Sequence, residues 1–345
     1  MKLLFKATAA AAALAVTSVL AACGASPGAT GPVTGAWSDV EAAAGKEGSV
    51  LLYSSQKPAN LERLETAFEK KYPRIDLEFV RGTDADINPR VETENRTGRG
   101  TADVHMLTDA TWIANAARSG SYSTDLIGPH LRAPEYRPET SVLDNRFALS
   151  SAAVFALGWN TGAVPGGLRT PQDLLDPKYR GKIGIVNPTG IASYVDLYRF
   201  YARTYGDDYW DRIAELKPRI YPSALGIAQA LTSGEIAVTP SVQPLVTEEA
   251  AGAPVGWALP SQPWGTPWYS HAVSVAPHPN AAQVLVDFMT TREGQTALND
   301  GYAAALPDIP GAVVQAQEIA APDTADLTPD KVTEYSQEWA RRFQS

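Results

Sequence analysis

The 345-residue chain has 1 cysteine, 4 histidines and no lysine- or arginine-rich run. A lone cysteine excludes an internal disulfide and any zinc cluster built on several thiolates. The histidines (His105, His130, His271 and His278) are scattered singly, which favours structural roles, so no metal site is expected. The formal net charge is −9, from 29 Lys+Arg against 38 Asp+Glu. That balance argues against a nucleic-acid partner, whose backbone must be neutralised by cations. Past the N-terminus no stretch stays apolar for the roughly 20 residues that a membrane-spanning helix needs. No fixed-period repeat is visible. A His-Glu-x-x-His zinc helix is absent, and no strand-to-helix turn carries a Gly-x-Ser-x-Gly elbow. Catalysis therefore has no sequence signature here, and no catalytic residue or cofactor is expected. What remains is 44% apolar and 19% charged, an ordinary globular composition whose length favours two domains over one.

The single cysteine is Cys23, and its position is informative. Lys2 and Lys6 precede a short apolar stretch from Ala7 to Leu20, the length of a signal-peptide core. The stretch ends in Leu20-Ala21-Ala22-Cys23, which resembles a bacterial lipobox. That resemblance implies cleavage before Cys23 and lipidation of its sulfur. Residues 1–22 are then a lipoprotein signal peptide and 23–36, rich in Gly, Ala, Pro and Thr, a flexible tether. Losing Lys2 and Lys6 takes the net charge to −11. The expected location is exported, lipid-anchored to the outer face of the cell membrane or periplasmic.

In the body, Ser38 is placed to cap a helix that stops at Gly48, and Ser49 to Tyr53 reads as a buried parallel strand. Leu61, Leu64, Ala67 and Phe68 recur at helical spacing, and Ile75 to Val80 forms a second strand leading into Arg81-Gly82-Thr83-Asp84. Another helical stretch, Ile87 to Arg96, precedes a third strand from Ala102 to Met106, which ends at Thr108-Asp109. This β-α-β-α-β order predicts an open α/β sheet with ligands outside the C-terminal strand ends. The pattern restarts later. Phe147 to Trp159 reads as a strand crossing to a second lobe, Lys182 to Val186 and Glu235 to Val238 as strands, and Trp268 to Val275 as a return strand. Ile191 to Tyr205, Ala281 to Met289 and Glu293 to Leu298 read as helices.

Four stretches carry a family resemblance. They are Glu47 to Ser54, Gly100-Thr101-Ala102-Asp103-Val104, Ser233-Gly234-Glu235-Ile236-Ala237, and His278 to Ala282 continuing through Asp287-Phe288 to Glu293-Gly294-Gln295. In order and spacing they resemble the extracellular solute-binding proteins of bacterial ABC importers, in the group that binds ferric iron, thiamine, polyamines and phosphonates or sugar phosphates. The resemblance implies an α/β, two-lobed periplasmic-binding-protein-like fold of type II, with two crossover strands and a central ligand cleft. It divides the body into lobe 1 (37–150), lobe 2 (151–267), and 268–345 as a return to lobe 1 plus C-terminal helices. It also implies a small-molecule ligand, an ABC permease with its ATPase as partner, a monomer, and capture without chemistry.

Which ligand is expected follows from matched positions. The family's ferric ligands fall at Lys57, Thr108 and near Pro244-Leu245, and no Tyr-Tyr pair occurs, so the direct iron ligands are lost. Asn187-Pro188-Thr189-Gly190-Ile191 resembles the family's turn onto a helix, where backbone N–H groups hold phosphate or carbonate. A helix merely capped by Thr189 is the competing reading. The resemblance thus nominates Thr189, Gly190 and Ile191 for the anion, with Ser54, Ser55, Gln56 and Thr108 as neutral donors and acceptors from the other lobe. Lys57 adds charge, and Trp268 and Tyr269, close to Trp264 in a Pro/Gly-rich segment, offer aromatic faces. The expected cargo is a small organic anion: a phosphate ester, phosphonate or carboxylate. A ferric or metal-complex binder is the alternative, and an exported hydrolase the competing class.

Overall fold

The computed structural model describes residues 31–320 and 322–344. The signal-peptide reading of residues 1–22 and the lipidation of Cys23 lie outside the described residues. Helix α1 (Trp37–Glu47) is capped differently from expectation. Ala36 holds the N-cap position, its N–H donating to Asp39 Oδ2 at 3.2 Å, and Ser38 lies within the first turn. Gly48, at φ 78°, ends the helix in the left-handed region that glycine enters without strain.

Strand β1 (Ser49–Ser54) lies between β2 (Asp76–Arg81) and β3 (Val104–Leu107), all parallel. The connections are α2 (Pro58–Lys71) and α3 (Asp84–Thr97), followed by α4 (Ala110–Ser119) and a short α5 (Pro138–Ser141). After β4 (Val142–Leu143) comes β5 (Phe147–Asn160), buried along nearly its whole length. Then follow β6 (Gly184–Val186), α6 (Ala192–Tyr205), α7 (Tyr209–Glu215), β7 (Arg219–Tyr221) and α8 (Ala224–Thr232). Next are β8 (Val238–Val242), α9 (Val246–Ala250), β9 (Val255–Ala258) and β10 (Trp264–Ala272). Helices α10 (Pro279–Thr290) and α11 (Arg292–Leu298), the short strands β11 (Ala303–Ala304) and β12 (Val314–Gln315), and α12 (Pro329–Phe343) complete the chain.

The two long strands β5 and β10 organise this mixed α/β fold into two lobes. Strand β10 runs antiparallel to both β3 and β5, placing the sheet in the order β12-β11-β5-β10-β3-β1-β2. The C-terminal half of β5, from Ala156, pairs instead with β8 and β9. Burial follows the same division. One apolar cluster contains Leu52, Phe68, Met106, Leu285 and Phe288, and the other Leu157, Ile185, Tyr198, Trp210 and Trp339.

Three local expectations need correction. Trp264 sits on strand β10 ahead of the expected strand start at Trp268, and Trp268 and Tyr269 lie on that same strand as expected, with a bulge between them. Glu235 to Val238 is mostly connection. Gly234 turns the chain at φ 75°, Ile236 and Ala237 give their N–H groups to Ala230 and Lys182, and the strand starts at Val238. The C-terminal segment also makes a third passage between the clusters. Ala316 and Ile319 belong to the first, Leu327, Val332, Tyr335 and Trp339 to the second, and Ala320 N–H donates to the Pro263 carbonyl at 3.0 Å.

Candidate functional site

A cleft of about 330 Å³ opens where these passages meet. Its first wall is made by the C-terminal ends of the parallel strands: Ser55 after β1, Arg81 ending β2 with Thr83 and Asp84 after it, and Thr108 after β3. Parallel strands leave their side chains and helix N-termini at that edge, which is why ligands collect there. Thr83 caps α3, accepting from Asp86 N–H at 3.3 Å and donating to Asp86 Oδ2 at 2.6 Å. Asp84 Oδ2 accepts from Thr108 twice, from N–H at 2.9 Å and from Oγ1 at 2.6 Å, joining two of the three turns. Arg63, Arg90, Arg146, Arg203, Arg219 and Arg342 pair with carboxylates, whereas Arg81 pairs with none among the described residues.

Helix α6 supplies the facing wall, with Ile191, Ser193 and Tyr194 beside Gln243. The turn before it is already hydrogen-bonded internally. Thr189 N–H donates to Asn187 Oδ1 at 2.9 Å, Gly190 N–H to Ser336 Oγ at 3.4 Å, and Ile191 N–H to the Pro188 carbonyl at 3.0 Å. Thr189 is not the cap. Ile191 is, and it has no side-chain acceptor to offer. The next three N–H groups, those of Ala192, Ser193 and Tyr194, meet no acceptor among the described residues. A helix start left open in this way carries the positive end of the helix dipole. Ser336→Ala removes the acceptor of Gly190 N–H, and should cost about 1 kcal/mol in urea unfolding and speed amide exchange at Gly190.

Aromatic rings form the floor. The Phe155 ring centroid lies 5.3 Å from Trp264 and 6.2 Å from Tyr194. The Trp264 indole donates to buried Asp196 at 2.7 Å, and the Trp268 indole to Ser55 Oγ at 3.0 Å, so both rings are fixed by their N–H groups. Burial raises the Tyr194 phenol above its ordinary value, keeping it a neutral donor.

Of the residues nominated from sequence, Ser55, Thr108, Ile191 and Trp268 line this cleft. Ser54 and Gln56 are fully buried beneath it, Gln56 spanning Ser151 Oγ and the Lys57 N–H. Lys57 turns aside, its Nζ 3.2 Å from the Asp300 carbonyl and 4.8 Å from the Tyr302 ring centre, and burial lowers its pKa. Thr189 and Gly190 are exposed on the approach to α6, and Tyr269 packs between Leu107 and Leu149. The structure adds Arg81, Thr83, Asp84, Ser193, Tyr194 and Gln243 as polar lining. The Arg81-Gly82-Thr83-Asp84 turn was visible as a polar strand end, which was the signal for three of them. Each histidine has a partner within the fold: Nδ1 of His130 and of His278 lies 2.7 and 3.0 Å from buried Asp287 and Asp103, and His105 contacts His271. Among the described residues, no group of three His, Cys, Asp or Glu side chains could hold a metal.

Residues 50–302 match the model of a family described as bacterial extracellular solute-binding protein. No curated protein matches the chain. Solved structures do. Iron-bound HitA from Pseudomonas aeruginosa is 21% identical, with 86% of this chain and 98% of that one covered and a TM-score of 0.63. The substrate-binding protein of an ABC transporter from Agrobacterium tumefaciens is 15% identical over 86% and 96%, with a TM-score of 0.68. AfuA from Actinobacillus pleuropneumoniae, with fructose-6-phosphate bound, is 19% identical over 86% and 98%, with a TM-score of 0.61. At these identities the likeness is one of fold.

Proposed function

The chain belongs to the bacterial extracellular solute-binding protein family, and within it we propose capture of a small organic anion for an ABC permease. Phosphate esters, phosphonates and carboxylates are the ligand class. One observation carries this reading: the N–H groups of Ala192, Ser193 and Tyr194 open a helix start without a side-chain cap on one cleft wall. The uncommitted guanidinium of Arg81 on the opposite wall supports it. An anion touching both walls stabilises the closed arrangement, a population shift in which no bond need form or break. The Phe155, Trp264 and Trp268 faces would hold the organic part.

A thermal-shift screen of phosphate esters, phosphonates, carboxylates, polyamines, thiamine and ferric salts tests the ligand class, because a ligand of the native state raises apparent stability. Stabilisation by ferric salts alone would sink the anion reading. Ferric iron is the second reading, since Asp84 and Tyr194 place two hard oxygen ligands on the cleft walls. In the screened hits, Arg81→Ala should weaken binding about ten- to a hundredfold, the worth of a charge-assisted hydrogen bond. We further propose that the protein is a monomer held at the membrane through Cys23. Among the described residues no helix is long and apolar enough to cross a bilayer. Intact mass of membrane-extracted protein checks the anchor, and an unmodified Cys23 would refute it.

A further inference from the structure

The wall that carries Arg81 also carries a negative charge that a simple anion receptor has no use for. Asp84 lines the cleft, and while Oδ2 is taken by Thr108, its Oδ1 is buried and meets no donor among the described residues. Asn88, one turn further along α3 and only 6% exposed, repeats the pattern. Its Nδ2 donates to Asp109 Oδ2 at 3.2 Å, and its Oδ1 is buried without a donor among the described residues. Positions i and i+4 share one helix face, so Asn88 stands on the same side of α3 as Asp84, and of the two Asp84 lines the cleft. Buried acceptors without donors are unfavourable, and a carboxylate oxygen is the more demanding of the two. A purely anionic ligand would leave Asp84 Oδ1 unsatisfied and add like-charge repulsion from Asp84.

We propose that the ligand is zwitterionic, with its anionic group at the α6 start and Arg81 and an ammonium donating to Asp84, near Asn88. Asp84 is then the residue that selects among anions by demanding a cationic donor on the same molecule. The proposal rests on the anion reading of the cleft, and the two can fail separately.

Isothermal titration with O-phosphoethanolamine and propyl phosphate, near-isosteres that exchange an ammonium for a methyl group, tests it. The wild-type protein should bind O-phosphoethanolamine about ten- to a hundredfold more tightly. Asp84→Asn, which keeps an acceptor for Thr108, should reduce that preference to within about threefold while propyl phosphate binds no worse. Arg81→Ala should weaken both probes by a similar factor. Equal wild-type affinity for the two probes would overturn the zwitterion proposal and leave the anion reading standing. A preference retained in Asp84→Asn would also overturn it, by moving the selection to another residue. Failure of both probes to bind would overturn the two readings together. The wild-type comparison decides the proposal even if Asp84→Asn does not fold.

Discussion

Lowering the pH from 6.5 to 4.5 should strip about 2 kcal/mol from the stability of the first lobe through buried His271 alone, with His105 adding to the loss in the same direction. His105 on β3 and His271 on β10 face each other across the antiparallel ladder and are both fully buried. His271 Nδ1 meets Ser123 Oγ at 3.0 Å, His271 Nε2 lies 3.3 Å from His105 Nδ1, and His105 Nε2 has no partner among the described residues. Trp112 and Phe147 close the site with aromatic rings. Burial disfavours the charged form of both rings, and each would repel a charge on the other. His105 is therefore held well below 6.5, and His271 is lowered to about 3. The unfolded chain binds these two protons from about pH 6.5 downward, whereas the folded chain refuses them. The stabilisation is complete above 6.5 and is lost progressively as the pH falls toward about 3. His271 gives a slope near 1.4 kcal/mol per pH unit below about pH 5.5, which His105 steepens. Burial raises the carboxyls of Asp103, Asp196 and Asp287, an effect of opposite sign because the folded state then takes up protons. His271→Asn separates the contributions. Urea unfolding from pH 7 to 4.5 should show an acid slope shallower by about 1.4 kcal/mol per pH unit in the variant, and an unchanged slope would refute the assignment.

Legibility in the sequence followed how local each signal was. Strand β5 stood out because it is buried on both faces, so its residues 147–159 form an apolar run interrupted by Ser150, Ser151 and Gly158. The edge of the sheet that lines the cleft was legible too, since Ser54-Ser55, Arg81 to Asp84 and Thr108-Asp109 interrupt apolar strands with polar turns. What those turns could not show was direction. Lys57 follows β1 and Arg81 ends β2, yet Asp300 and Tyr302, far along the chain, draw Lys57 away from the cleft. The turn before α6 illustrates the same limit at atomic scale. Its position was readable, but Asn187, Pro188 and Ser336 occupy the N–H groups of residues 189–191, which moves the open donors one step on to residues 192–194. Ser336 lies 146 residues from Gly190, a separation that no local pattern encodes. Phe155, Trp264 and Gln243 likewise reach the cleft only through strand pairing and packing.

Gly265→Ala should be the most damaging single methyl group in the cleft region, costing about 3 kcal/mol or more. Gly265 pairs with Val154 where β10 crosses β5, and a Cβ there would lie 2.1 Å from the Ala153 carbonyl oxygen and 3.0 Å from Ile319 Cγ2. The first obstacle is backbone in the central ladder, which cannot rotate aside as a side chain can. The second belongs to the C-terminal segment, so the methyl group would push on all three passages between the lobes at once. Relief requires β10 to separate from β5, and β10 carries Trp264 and Thr266, the two cleft residues on either side of Gly265. Urea unfolding should therefore show a lowered midpoint. Ligand affinity, measured at a temperature where the variant remains folded, should fall as well. Gly166→Ala is the matched control. It has no atom within 4 Å of its added Cβ, and should change stability by less than about 0.5 kcal/mol. A Gly265→Ala protein with unchanged midpoint and unchanged affinity would mean that the crossing tolerates spreading, and that the aromatic floor is not held by the spacing of β5 and β10. Loss of affinity in a variant that is still folded would show that the spacing of β5 and β10 shapes the cleft, since a purely global destabilisation leaves the folded fraction binding as before.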